Sequence, residues 1–180
     1  MIDRRSVLAL FVCASLAACA TSGPAFGPPQ TSQLITTNYA AADSLASGSQ
    51  RLISKDAPII VATLVKLEDI TASSNLGRLV SEQLASRLTQ LGYTVAELKL
   101  RGSIFVRSDQ GELLLSRDLH RIALSHHAQT IVVGTYAVGA DVVYVHLELI
   151  DAETGYAISA YDYFLPMISQ VRVLLGVKPD

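Results

Sequence analysis

Between two apolar runs, residues 59–65 and 93–100, lies one strongly amphipathic helix signal, and that order leaves few folds open. After Pro58, the continuous apolar run 59–65 suits a central strand buried on both faces. Ser73-Ser74-Asn75 then offers side-chain oxygens to cap the start of a helix that continues to Leu91. Along it, Leu76, Leu79, Val80, Leu84, Leu88 and Leu91 share one face, while Arg78, Glu82, Arg87 and Gln90 lie mostly off it. Gly92 closes the helix, because a residue without Cβ takes the left-handed cap conformation at little cost. Residues 93–100 are strand-like again. Two strands joined through one helix are parallel if they share a sheet.

The rest of the chain adds antiparallel character. Residues 39–54 have helical spacing, with Ala41, Leu45, Leu52 and Ile53 as apolar points and Gly48 as a weakness. Two short apolar stretches in 103–115 flank Ser108-Asp109-Gln110-Gly111, which predicts a hairpin. Ser116 is placed to cap a second helix reaching His127, with Asp118 in its first turn favouring the helix dipole. Residues 130–137, 141–150 and 156–164 read as strands joined at Gly139-Ala140 and at 152–155. In the middle strand Val143, Val145, Leu147 and Leu149 alternate with Tyr144, His146 and Glu148, the period of two of a sheet with one buried and one wet face. Pro166 is expected to open a last helix carrying Met167, Ile168, Val171, Leu174 and Leu175, ended by Gly176. With 180 residues, half of them hydrophobic, the chain can bury a sizeable core as one domain. The expectation is an α/β fold: a single two-layer sandwich with a mixed sheet ending in an antiparallel meander, and helices packed on it. The sequence has no internal repeat.

The first residues carry a different message. Arg4-Arg5 precede an apolar run, residues 6–15, which is too short to span ~30 Å of hydrocarbon as a helix. Leu16-Ala17-Ala18-Cys19 follows and resembles the lipobox of bacterial lipoproteins. In those proteins the Cys thiol is joined to diacylglycerol, the preceding bond is cut, and the new amino group is acylated, commonly with palmitate. Several acyl chains anchor far better than one. The alternative is an ordinary signal peptide with Cys19 incidental. Export by the general or the twin-arginine route is compatible with Arg4-Arg5. Cys13 falls in the discarded segment, so the processed chain has one cysteine and no intrachain disulfide. Ala20 stands where an Asp would retain such lipoproteins in the inner membrane, which by that resemblance implies the outer membrane. The expected division is a signal peptide over 1–18, lipidated Cys19 with a Pro-, Gly-, Ser- and Thr-rich tether over 19–37, and a folded domain over 38–180. Without residues 1–18 the chain has 12 basic and 15 acidic residues, a formal charge of -3.

Chemistry is sparse. Trp is absent, aromatic residues make up 6% and no basic run stands out, which argues against a nucleic-acid surface. There is no Gly-rich phosphate loop and no nucleophile elbow. His120 and His127, seven apart, could share a helix face as metal ligands, but solvated histidines at a helix end are the commoner case; the other two histidines are His126 beside them and His146 in the middle strand. Glu68-Asp69 follows the first strand, where α/β folds often bind ligands, although a single acidic pair in a loop is more commonly just solvated. Asp118 and His120 with Ser116 or Ser125 do not make a triad by spacing alone. Tyr136, Tyr144, Tyr156, Tyr161 and Tyr163 crowd the last strands, as sheet packing or as contacts for a partner protein. The sequence thus predicts no enzyme, no catalytic or cofactor-binding residue, no metal, no small-molecule substrate, and binding or scaffold work.

One resemblance covers nearly the whole domain. Pro58-Ile59-Ile60-Val61-Ala62, the stretch from Ser73 to Leu88, Gly92-Tyr93-Thr94-Val95, Gly111-Glu112-Leu113-Leu114-Leu115-Ser116-Arg117-Asp118-Leu119 and Val133-Gly134-Thr135-Tyr136 form an ordered set. That set resembles the FlgO family of flagellar outer-membrane lipoproteins, over roughly residues 38–165. The resemblance implies a periplasm-facing domain on the outer membrane that supports the flagellum where it crosses the envelope, working with flagellar or other envelope proteins or as a homo-oligomer. It supplies no catalytic residue. The other reading is a lipoprotein binding module that regulates an envelope or cell-wall enzyme. A tether of about 18 residues argues against a long reach, since ~5–6 Å × √n covers only tens of ångströms.

Overall fold

The computed structural model describes residues 30–50, 52–96 and 120–177. In chain order the elements are α1 (Gln30–Ser49), β1 (Ile59–Val61), β2 (Val65–Lys66), α2 (Asn75–Gln90), β3 (Val95–Ala96), β4 (Thr130–Val138), β5 (Val142–Asp151), β6 (Ala157–Pro166) and α3 (Ser169–Leu175). One mixed sheet runs in the order β3-β1-β4-β5-β6, with β2 also paired to β4. The strands β1 and β3 are parallel neighbours, as the strand–helix–strand pattern requires, and β1 is also parallel to β4. The strands β4, β5 and β6 form the expected antiparallel meander. Helices α1 and α2 lie side by side on one face. Beneath them, the main core gathers Leu45, Ile59, Leu76, Leu84, Tyr136, Leu147 and Leu165. A smaller core of Ile60, Ala123 and Ile131 occupies the other face, under the helical residues 120–125. The α/β sandwich expected from the sequence is the fold observed.

The helix α2 forms as its sequence dictates. The Ser74 side chain accepts from the Gly77 amide at 3.3 Å, and Gly92 sits at φ +85° after the last turn. The expected strand 59–65 is broken, however. Ala62 to Leu64 leave the ladder between β1 and β2, and Leu64 turns fully into the core. Its buried backbone groups still need partners. Ser81 Oγ accepts from the Leu64 amide at 2.9 Å, and Ser73 Oγ donates to the Leu64 carbonyl at 2.6 Å.

Three boundaries move. The first helix begins at Gln30, not at residue 39, so residues 30–37 of the expected tether 19–37 belong to α1. Leu34, Asn38, Ala41, Ala42 and Leu45 form its buried stripe, and packing on β6 and α2 outweighs the weak helix preference of Thr and Ser. Pro166 ends β6 and does not open the last helix. Helix α3 starts at Ser169, and Gly176 closes it in the left-handed conformation. Of the expected strand 93–100, only Val95–Ala96 pair within the described residues. The expected hairpin 103–115, Ser116 and Asp118 lie outside the described residues, as do the leader and Cys19.

Candidate interaction surface

The alternation along β5 and β6 sorts side chains into two sets. Val143, Val145, Leu147 and Leu149 are buried beneath the helices. The intervening residues point away from them, and the register sets them opposite partners on β6: Tyr144 faces Phe164, His146 faces Asp162, and Glu148 faces Ala160. Tyr144 is 60% and Phe164 59% exposed, which makes an aromatic pair directly across two strands on an open face. Beside it, His146 Nδ1 lies 2.7 Å from Asp162 Oδ1, and Nε2 lies 3.4 Å from Glu148 Oε1. The hydrogen bond to Asp162, and the negative charge of both carboxylates, raise the His146 pKa against the opposing effect of partial burial. The outer edge of β6 pairs with no strand among the described residues, so its backbone row also borders this face. Apolar anchors flanked by charge are the composition of a protein-binding patch.

The five tyrosines of the last strands divide. Tyr144 and Tyr156 are exposed. Tyr161 and Tyr163 stack on each other, ring centroids 6.1 Å apart, on the helix side of β6. The Tyr163 hydroxyl donates to Asn38 Oδ1 at 2.7 Å, and Asn38 Nδ2 donates to Gln83 Oε1 at 2.6 Å, so one buried amide ties β6, α1 and α2 together. Burial pushes the Tyr163 phenol far above its usual range. Tyr136 is wholly within the core. Phe164 and Asp162 went unmarked in the sequence reading, although the alternation Tyr161, Tyr163, Leu165 toward the core already assigns both to the wet side.

The other candidates do not converge. His120 Nδ1 is 2.7 Å from the Ala152 carbonyl, Ser125 Oγ donates to the Ile122 carbonyl, and His126 and His127 are exposed at the end of the helical segment. Asp69 accepts from the amide and hydroxyl of Thr71 in an exposed turn, which lowers its pKa, and Glu68 is exposed beside it. Among the described residues no group of three or more His, Cys, Asp or Glu is placed to hold a metal, and no helix is long and apolar enough to cross a membrane.

Two of the ordered stretches meet in space at Leu64. A Cβ on Gly77 would lie 2.5 Å from the Leu64 carbonyl and 3.0 Å from the Tyr136 ring. One on Gly134 would lie 2.7 Å from the His146 carbonyl and 3.0 Å from Leu64 Cγ. The glycines of the Asn-Leu-Gly and Gly-Thr-Tyr stretches therefore serve close packing of α2 on the broken strand.

Comparison with known proteins agrees with this architecture. The family model described as "FlgO protein" matches residues 39–170. The LpoB C-terminal domain from Salmonella enterica is similar in structure, with a TM-score of 0.52 at 16% identity, covering 69% of this chain and 94% of that one. The NMR structure of Escherichia coli LpoB gives 0.50 at 11% identity, covering 71% of this chain and 66% of that one. At such identities these likenesses concern the fold alone. No curated protein sequence matches the chain.

Proposed function

Because this chain belongs to the FlgO protein family, whose model spans residues 39–170, we propose that it is a non-enzymatic outer-membrane lipoprotein supporting flagellar assembly, stability or motility at the envelope. The family match is the observation that carries this reading. Lipid on Cys19 holds the chain to the membrane, and the domain faces the periplasm. There it works by contact, through the open Tyr144–Phe164 face, with flagellar or other envelope proteins. Support for contact work comes from the apolar pair and its flanking His146, Asp162 and Glu148, which form a surface and not a cleft.

Deleting the gene and restoring it with variants tests the reading. Loss of swimming with normal cell shape, restored by the wild-type chain but not by Tyr144→Ser with Phe164→Ser, is the expected result. Both residues are exposed, so the double variant keeps its fold. A wall-synthesis defect in motile cells would instead establish the alternative, a module regulating an envelope or cell-wall enzyme. Mass spectrometry of fractionated membranes checks the anchor: a triacylated peptide starting at Cys19, lost in Cys19→Ser, is expected in the outer-membrane fraction.

A further inference from the structure

The helix layer, on the side of the sheet opposite the Tyr144–Phe164 face, carries an apolar groove of about 540 Å³ where α1, α2 and α3 meet. Leu34 and Ile35 of α1, Leu79 of α2, and Val173 and Leu174 of α3 form its apolar lining, completed by the uncharged Gln83, Ser169 and Gln170. Leu34 forms part of the buried floor, while Ile35 (40% exposed) and Val173 (60% exposed) stand at the rim, with Val177 exposed just beyond.

We propose that this groove seats the domain on the same bilayer that holds its anchor, with Ile35 and Val173 entering the boundary between headgroups and acyl chains. The proposal rests on lipidation of Cys19. Position argues for the bilayer as occupant. The groove's first wall is the amino end of α1, where the chain arriving from Cys19 enters the fold. Cys19 and Gln30 are eleven residues apart, and even fully extended that length reaches at most ~40 Å. A few apolar side chains bind a membrane weakly on their own. Held this close by an anchor, the contact becomes intramolecular, and the local lipid concentration makes a weak site sufficient. A second copy fits less well, because a stable dimer needs about 800 Å² and some 20–30 residues per partner, far more than this groove offers. Seating the helix layer on the bilayer turns the Tyr144–Phe164 face outward, toward partners.

The test uses the full processed chain in vesicles of phosphatidylethanolamine and phosphatidylglycerol, with the mass of its Cys19 peptide measured on the same sample. A bimane label on Val173→Cys is expected to be quenched by brominated acyl chains, and one on Tyr144→Cys to be spared. Adding Ile35→Gln should cut the Val173 quenching several-fold. Both changes are at exposed positions and leave the core intact. Absent quenching at Val173, or equal quenching at both positions, overturns the proposal. Energy transfer between labelled copies without lipid quenching overturns it in favour of a second copy. An unmodified Cys19 peptide would defeat the anchor reading separately. The groove is then read on the Cys19→Ser chain at millimolar lipid, where Val173 quenching weakened about tenfold by Ile35→Gln supports it and none overturns it.

Discussion

The Tyr136 hydroxyl is buried, and it has no hydrogen-bond partner among the described residues. Burial, and to a smaller degree the charge of Glu68, raise its pKa; the polar groups of Ser74 pull it down only in part, because they do not reach the phenol with the geometry of a full hydrogen bond. A phenol that cannot be satisfied costs more than the ring alone. Tyr136→Phe should therefore leave stability unchanged or raise it by about 1 kcal/mol, seen as a higher urea midpoint at an unchanged slope. A loss above 1 kcal/mol would mean the hydroxyl has a partner. His146 behaves in the opposite sense. Its folded pKa is raised by Asp162 and Glu148, so the protonated form is the stabilised one. Its contribution is complete below the unfolded value of about 6.5 and fades as pH rises through the higher folded value. The stability gap between wild type and His146→Gln should accordingly be largest in mild acid and close on the alkaline side. A gap that widens with pH would contradict the pairing. Both carboxylates are solvent-accessible, so salt should narrow the gap as well.

At the scale of elements, α1 depends on a polar residue in the middle of its buried stripe, whose only other polar member is Ser49 at the end. Asn38 is fully buried and holds both Tyr163 and Gln83. Asn38→Ala strands both partners and should cost about 2–3 kcal/mol in denaturant unfolding. Tyr163→Phe in the same chain should recover part of that loss, so the two changes will not add. Additive losses would show that the network is not shared. The same residue explains what was hard to read in the sequence. The helix α2 was legible because its leucines repeat without interruption between a serine cap and a glycine stop, and β5 because valine and leucine alternate with polar residues. In α1 the stripe runs through Asn38 and is flanked by Thr36 and Thr37, so only its later half has an apolar period. Its first turns are set by contact with β6 and α2, which local sequence does not encode. The break at Ala62 to Leu64 was equally hidden, since an apolar run looks the same whether it pairs throughout or turns inward onto Ser73 and Ser81. On the open face, Tyr144 is visible as a candidate, and the alternation along β6 puts Phe164 on the same side. That the two stand opposite each other follows only from the register of β6 on β5.

For the whole molecule, the early start of α1 changes what the anchor can do. With the first described turn only eleven residues from Cys19, a lipid on that residue would keep the domain close to the bilayer, not at the end of a long leash. On the bilayer contact proposed above, the apolar groove and the aromatic pair on the far side define one orientation: helix layer down, sheet face out. Inserting ten Gly/Ser residues before Pro28 roughly doubles the connecting length. Closing a loop twice as long costs only ~0.6 kcal/mol, about a threefold drop in local concentration. If the groove holds the domain in place, swimming should fall by no more than about twofold. Combining the insertion with Ile35→Gln removes both constraints on orientation, and swimming should then drop well beyond the product of the separate losses. Two separate effects that simply multiply would mean the domain works wherever it floats. Stronger activity from the insertion alone would point to a partner beyond the reach of the natural chain, the behaviour of a reach-limited regulator and not of a component fixed at the membrane.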